Sequence, residues 1–190
     1  AIAGNAVMFV LMGLLLINIL FTKNFASINV IWLLIRQSAS ILCVAMGMSF
    51  VIATGNIDIS VGPLMALAAV LCVQIEKQTG SYLYGALGAL GVCLVCGAAN
   101  GLMVSVFNIQ SMIATLITQM VFRAAAQLIS AWVITIKGPV VRFLGLHAIG
   151  GLIPLQLVPV TFLAVCTWFL LKKTIFGKRL EAVGCNPRAA

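Results

Sequence analysis

Charge is what this 190-residue sequence has least of, and negative charge above all: its acids are Asp58, Glu76 and Glu181. Three scattered acids leave no basis for a paired-carboxylate mechanism. They also leave little for an ion-coupled carrier, which relies on acids within its membrane spans; only Asp58 could serve, and it stands at a span end. The single histidine, His147, sits in a loop with no obvious partner, and no role attaches to it. G-x-S-x-G, G-x-x-x-x-G-K and H-E-x-x-H are all missing, so no nucleophile elbow, phosphate loop or zinc helix is encoded. A catalytic or metal-binding role for this chain is therefore not expected, and no cofactor is expected in it. If ATP and its Mg drive the protein, a partner subunit must bind them.

Charged residues amount to 7% of the chain, against roughly 25% in soluble domains, while 63% are hydrophobic and the mean hydropathy is +1.22. Lipid is the solvent for most of such a chain, and helices satisfy their own backbone there. Windows of apolar residues give six expected spans, at residues 4–21, 30–54, 61–75, 82–107, 112–136 and 155–171. The fold class read from this is all-α, a polytopic transmembrane bundle. The first run lacks a preceding basic region and a following cleavage site, so it reads as a retained span. The chain does not begin with Met, and residues are expected to precede it.

The net charge of +8 does not point to nucleic acid, because the cations form no basic stripe interleaved with aromatics. Five of the eleven fall between Lys172 and Arg188, beside the last span, which the positive-inside bias assigns to the cytoplasm. Counting back through six spans puts the N-terminus inside as well. Lys137 and Arg142 then fall outside, against the bias. Of the six cysteines, five lie in apolar stretches as small hydrophobes, and Cys93-x-x-Cys96 has no second pair, so helix packing is its expected use.

Several positions are candidates for more than packing. The third span, at 15 residues, would reach only ~22 Å, short of a ~30 Å hydrocarbon core. It follows Gly55-Asn-Ile-Asp58-Ile-Ser60 and opens with Gly62-Pro63. That is the pattern of a discontinuous helix beside a transport pathway, and equally of a helix capped by Ser60 or Asp58 with Pro63 in its first turn. Small residues recur along the fourth span at Gly85, Gly88, Gly91, Gly97, Ala98, Ala99 and Gly101, as close helix packing requires, and Gly97 and Gly101 have the small-xxx-small spacing. Arg123 lies near the bilayer midplane, with Gln119 and Gln127 four residues to either side. It is expected to face the bundle interior or a wet cavity, as a pathway residue or as a tie to neighbouring carbonyls. Arg36 and Gln37 are shallow enough to snorkel. Asn100, Thr115 and Thr118 could bond between helices or face a solute.

Four blocks, in order, carry a family resemblance. Ala45-Met-Gly47-Met48-Ser-Phe-Val51-Ile52-Ala-Thr-Gly55 runs into Gly55-Asn-Ile-Asp58-Ile-Ser60-Val-Gly62. Asn100-Gly-Leu-Met-Val104 follows, then Ile113-Ala-Thr115-Leu116 with Arg123, then Thr174-Ile-Phe-Gly177-Lys-Arg179-Leu-Glu-Ala182-Val-Gly184-Cys-Asn186-Pro-Arg-Ala189-Ala190. Together they resemble the permeases of ribose-, xylose- and galactose-type bacterial ABC importers. Departures are Asn56 for a Gly, Gln110-Ser111 for Pro-Pro, and Ala124 for Gly after the arginine. The resemblance implies an inner-membrane, multi-pass permease domain over 1–190, incomplete at its C-terminus, with ATPase coupling through residues 172–190. The implied coupling residues are Gly177, Lys178, Arg179, Glu181, Ala182, Gly184 and Asn186. An ordinary basic juxtamembrane anchor is the other reading of that stretch. Asp58, Ser60, Gly62, Asn100, Thr115 and Arg123 would belong to the pathway or to its structural motifs. Implied partners are an ABC ATPase, a periplasmic sugar-binding protein, a second permease (identical or not) and membrane lipid, without nucleic acid. A branched-chain amino-acid permease shares the architecture, but the Gly55–Gly62 block favours the sugar branch.

Overall fold

A computed structural model describes residues 6–130, 143, 145, 147–149 and 153–185. The helices in it are α1 (Ala6–Phe21), α2 (Ile28–Ala53), α3 (Val61–Thr79), α4 (Tyr82–Ser105), α5 (Ser111–Ser130), α6 (Leu157–Lys173) and α7 (Ile175–Cys185). Between α5 and α6, β1 (Ala148–Ile149) and β2 (Ile153–Pro154) pair antiparallel as a minimal hairpin. The chain is thus a polytopic helical bundle.

Helices α2, α3, α4 and α5 have 26, 19, 24 and 20 residues and are long and apolar enough to cross a membrane. At ~1.5 Å per residue each reaches about 28 Å or more. The six expected spans are therefore not all matched in full. α1 is a shorter apolar helix of 16 residues, and α6, at 17 residues, satisfies the length criterion only when taken together with α7 across a 70° bend. The part of the fifth expected span beyond Ser130 lies outside the described residues. The third span corrects the sequence reading: α3 is one unbroken helix through Thr79. Glu76, Lys77 and Gln78 end the apolar run but not the helix, since polar residues emerging from hydrocarbon into water need not break it. Gly80 closes α3 in the left-handed conformation (φ 70°) and donates its N–H to the Glu76 carbonyl.

Two helix groups organise the packing. α3 packs chiefly on α4 and α5, burying Leu67, Val70, Phe122 and Ala126 in one cluster that includes Cys96 at its margin. The CxxC thiol thus serves as packing volume. α2 packs on α6 and α7, with the Phe50 and Phe176 rings 6.4 Å apart. The large apolar side chains of α1 are almost all exposed, as a lipid-facing surface requires.

The tightest α3–α4 approach is not where the small-residue spacing placed it. Gly97 and Gly101 have open space where a Cβ would stand. Gly85 is instead the contact point: a Cβ there would fall inside the Cys72 carbonyl oxygen, and one at Gly88 would strike Ile75. Backbone cannot yield as a side-chain tip can, so Gly85→Ala is expected to lose about 1–3 kcal/mol by overpacking. Gly91, with nothing near its Cα, should instead gain a few tenths to 1 kcal/mol from Gly91→Ala. Thermal midpoints of the purified full-length variants check both signs.

Candidate functional site

The ends of α2 and α4 and the starts of α3, α5 and α7 gather at one end of the bundle. That end also carries Lys172, Lys173, Lys178 and Arg179, so it is the one the positive-inside bias assigns to the cytoplasm. The link between α2 and α3 is built there almost entirely from its own polar groups. Thr54 closes α2, its hydroxyl donating to the Val51 carbonyl at 2.7 Å, and Gly55 turns the chain at φ 77°. The Asn56 amide nitrogen donates to the Thr54 hydroxyl at 3.0 Å.

Asp58 then organises the start of α3. One carboxylate oxygen accepts both the Ser60 N–H at 2.8 Å and the Ser60 hydroxyl at 2.6 Å. Both sequence candidates for a cap are engaged, but with divided roles: Asp58 accepts, while the Ser60 side chain makes no capping bond to α3. Pro63 lies in the first turn, where its missing N–H costs nothing. The Ser60 hydroxyl, its proton committed to Asp58, accepts from the Asn100 amide nitrogen at 2.9 Å. Ser60 is completely buried and Asn100 is 5% exposed.

This chain fixes the Asn100 amide. A serine hydroxyl that already donates can only accept, so nitrogen must face it and Asn100 Oδ1 must face away. Oδ1 is buried on the side away from Ser60.

Beside the Asp58–Ser60–Asn100 chain lies a cavity of about 760 Å³ between the two helix groups. Its wall takes in Phe50 and Thr54 of α2, Asp58, Asn100, and Thr115 of α5, with Leu180 and Val183 of α7. Gly97 and Gly101 line it, which explains the open space at their Cα atoms. The Thr115 hydroxyl is bonded within α5 to the Ser111 carbonyl at 2.8 Å, so its buried side chain serves its own helix.

α7 is set across this end by three local features. Thr174 ends α6 in extended conformation; its hydroxyl donates to the Leu170 carbonyl at 2.5 Å and accepts the Gly177 N–H at 3.3 Å, capping α7. Gly177 is buried against the Leu170 and Leu171 carbonyls, where a Cβ would clash. Gly184 lies against the Ala53 carbonyl at the end of α2, again with no room for a Cβ. Lys178, Arg179 and Ala182 point outward and are exposed. Glu181 is paired with Lys172 at 3.1 Å, both well exposed, which is worth at most about 1 kcal/mol. Asn186 lies outside the described residues.

Of the other candidates, Gly62 is exposed on the first turn of α3 and touches nothing at its Cα. Arg123 is not part of this site: it stands two turns along α5 from Thr115, exposed on the outside of the described bundle rather than inside it. Two residues quoted above only as parts of the blocks also matter. Ser111, a departure from the family's Pro-Pro, accepts the Ile57 N–H at 3.4 Å, a contact proline could not make. Thr174 was visible only as part of a motif. Among the described residues, no group of three or more His, Cys, Asp or Glu could hold a metal.

A short, sharply turned helix is thus docked across the helix ends of a membrane bundle, beside a polar-seamed cavity. Comparison with known proteins places the chain among its relatives. Residues 30–190 match the family described as branched-chain amino acid transport system / permease component. The chain is 35% identical over 158 residues to the galactofuranose transporter permease protein YtfT of Escherichia coli (strain K12), covering 83% of this chain and 46% of that protein. It is 33% identical over 184 residues to the ribose import permease protein RbsC of Bacillus subtilis (strain 168), covering 93% of this chain and 55% of that one. The fructose import permease protein FruF of Bifidobacterium longum (strain NCC 2705) is 32% identical over 163 residues, covering 83% and 45%. No solved structure matches. The chain belongs to this family of transport-system permease components, and it spans about half the length of the curated relatives it matches.

If Ser60 and Asn100 act as one unit, their mutational costs will not add. Ser60→Ala and Asn100→Ala should each cost about 1–3 kcal/mol, and the double variant less than their sum by about 0.5–3 kcal/mol. A double-mutant cycle on thermal or denaturant unfolding of the full-length permease measures that coupling.

Proposed function

We propose that the chain forms the membrane pathway of an ATP-driven monosaccharide importer in the bacterial inner membrane, and does no chemistry of its own. The observation that carries the reading is the docking of α7. Gly184 seats it against the last carbonyls of α2, next to the Asp58–Ser60–Asn100 seam, while Lys178, Arg179 and Ala182 face outward. A displacement of α7 by a partner would be delivered directly to the α2–α3 link. That is what a coupling element between a permease and a separate ATPase must do, and residues 172–190 are assigned that role. The exposed cations suit an acidic docking surface.

Sugar rather than amino acid is the proposed cargo, because the relatives named above are described as galactofuranose, ribose and fructose permeases. Three kinds of partner follow: an ATPase subunit that binds ATP and Mg, a periplasmic sugar-binding protein, and a second permease.

Co-expression of the full-length permease with the ATPase and binding protein encoded beside it tests this. Gly184→Leu should abolish sugar-stimulated ATP hydrolysis or release the ATPase from the purified complex. Glu181→Lys should weaken stimulation while leaving folding nearly unchanged, because the Lys172 pair is solvent-exposed. Uptake that persists without any ATPase, and is indifferent to both changes, would mean an ion-coupled carrier instead.

A further inference from the structure

Arg123 fits neither the packed core nor a lipid-facing surface, and the three faces of α5 show why. One face carries Phe122 and Ala126 into the core beside Leu67 and Val70 of α3. A second exposes Ile117, Val121 and Leu128, side chains suited to lipid. The third carries Gln119, Arg123 and Gln127 in successive turns, with Arg123 and Gln127 exposed and Gln119 half-buried. Apolar and polar residues separate more clearly on α5 than on α2, α3 or α4.

Depth decides what the third face can meet. Arg123 is ~18 Å from the start of α5, near the middle of a ~30 Å hydrocarbon core. Its side chain leans toward that start, which lies beyond its reach. A guanidinium held at such depth needs water or hydrogen-bond acceptors. A dry, two-fold contact through this stripe would bring two Arg123 guanidiniums together, which repulsion in a low dielectric opposes.

We propose that Gln119, Arg123 and Gln127 form a wetted wall of the translocation pathway and hydrogen-bond a neutral, polyhydroxylated solute in transit, with Arg123 as a specificity-determining residue. The chemistry matches: two carboxamides offer both donors and acceptors, the guanidinium offers only donors, and hydroxyl groups can answer both. No anion or apolar side chain is called for. The solute's identity rests on the sugar-importer reading; the wetness of the wall does not.

The test uses the full-length permease assembled with its ATPase and binding protein in membrane vesicles. Gln127→Cys and Ile117→Cys are each exposed to a membrane-impermeant, positively charged methanethiosulfonate, with the unsubstituted protein as background for the native cysteines. Gln127→Cys should react at least about tenfold faster than Ile117→Cys, and the imported monosaccharide should slow it. Arg123→Ala should raise the KM for uptake by about tenfold, more than it lowers the maximal rate, with partial recovery in Arg123→Lys. Equal inertness of the two cysteines, or a Gln127→Cys disulfide between two permeases, overturns the wetted wall. Reactivity that an imported monosaccharide does not slow overturns the solute contact. If the complex imports no monosaccharide, the sugar reading fails on uptake, while cysteine reactivity still decides whether the wall is wet.

Discussion

The start of α3 and the last turns of α4 are locked together by the hydrogen-bonded chain from Asp58 through Ser60 to Asn100. It joins the link between α2 and α3 to the last turns of α4, inside the α3–α4–α5 group and beside its boundary with the α2–α6–α7 group. Ser60 and Asn100 are buried, so their bond is shielded from competing water. Directionality is built in: the carboxylate accepts, the hydroxyl passes its one proton to it, and the amide must then donate. The chain stands beside a cavity of about 760 Å³ that lies between the two helix groups.

Glycine sets the distances between the helices. Gly85 lets α4 ride on the Cys72 carbonyl of α3, Gly177 lets α7 fold back against the end of α6, and Gly184 lets α7 rest on Ala53. These contacts are backbone to backbone, so they transmit displacement without the slack that rotamers would introduce. The open glycines, Gly97 and Gly101, do the opposite and leave volume on the wall of the cavity. The same residue type thus builds rigid seats at some helix contacts and leaves free space along the cavity wall.

How far the sequence disclosed this depends on whether a feature is local. The Asp58–Ser60–Pro63 start of α3 was legible, because caps and first-turn prolines act over three or four residues. The apparent shortness of the third span was not real, because hydropathy reports where lipid ends and not where a helix ends. Small-xxx-small spacing located Gly97 and Gly101, yet spacing is blind to which helix lies opposite, and the close approach falls at Gly85. The cost of Arg123 in lipid points to the bundle interior or a wet cavity, and the sequence alone does not choose; in the structure Phe122 and Ala126 take the inward direction of α5 and leave Arg123 exposed.

The sequence by itself determined that this chain lives in lipid and that it is helical, because composition and hydropathy follow from the solvent rather than from any neighbour. It also determined the family, through four ordered blocks. Only the tertiary structure decided that Ser60 meets Asn100 across forty positions of sequence, that α7 lies on the end of α2, and which glycines bear contact. Those are relations between helices, set by the rotation and depth of each helix against the others, and periodicity within one helix carries no information about its partner.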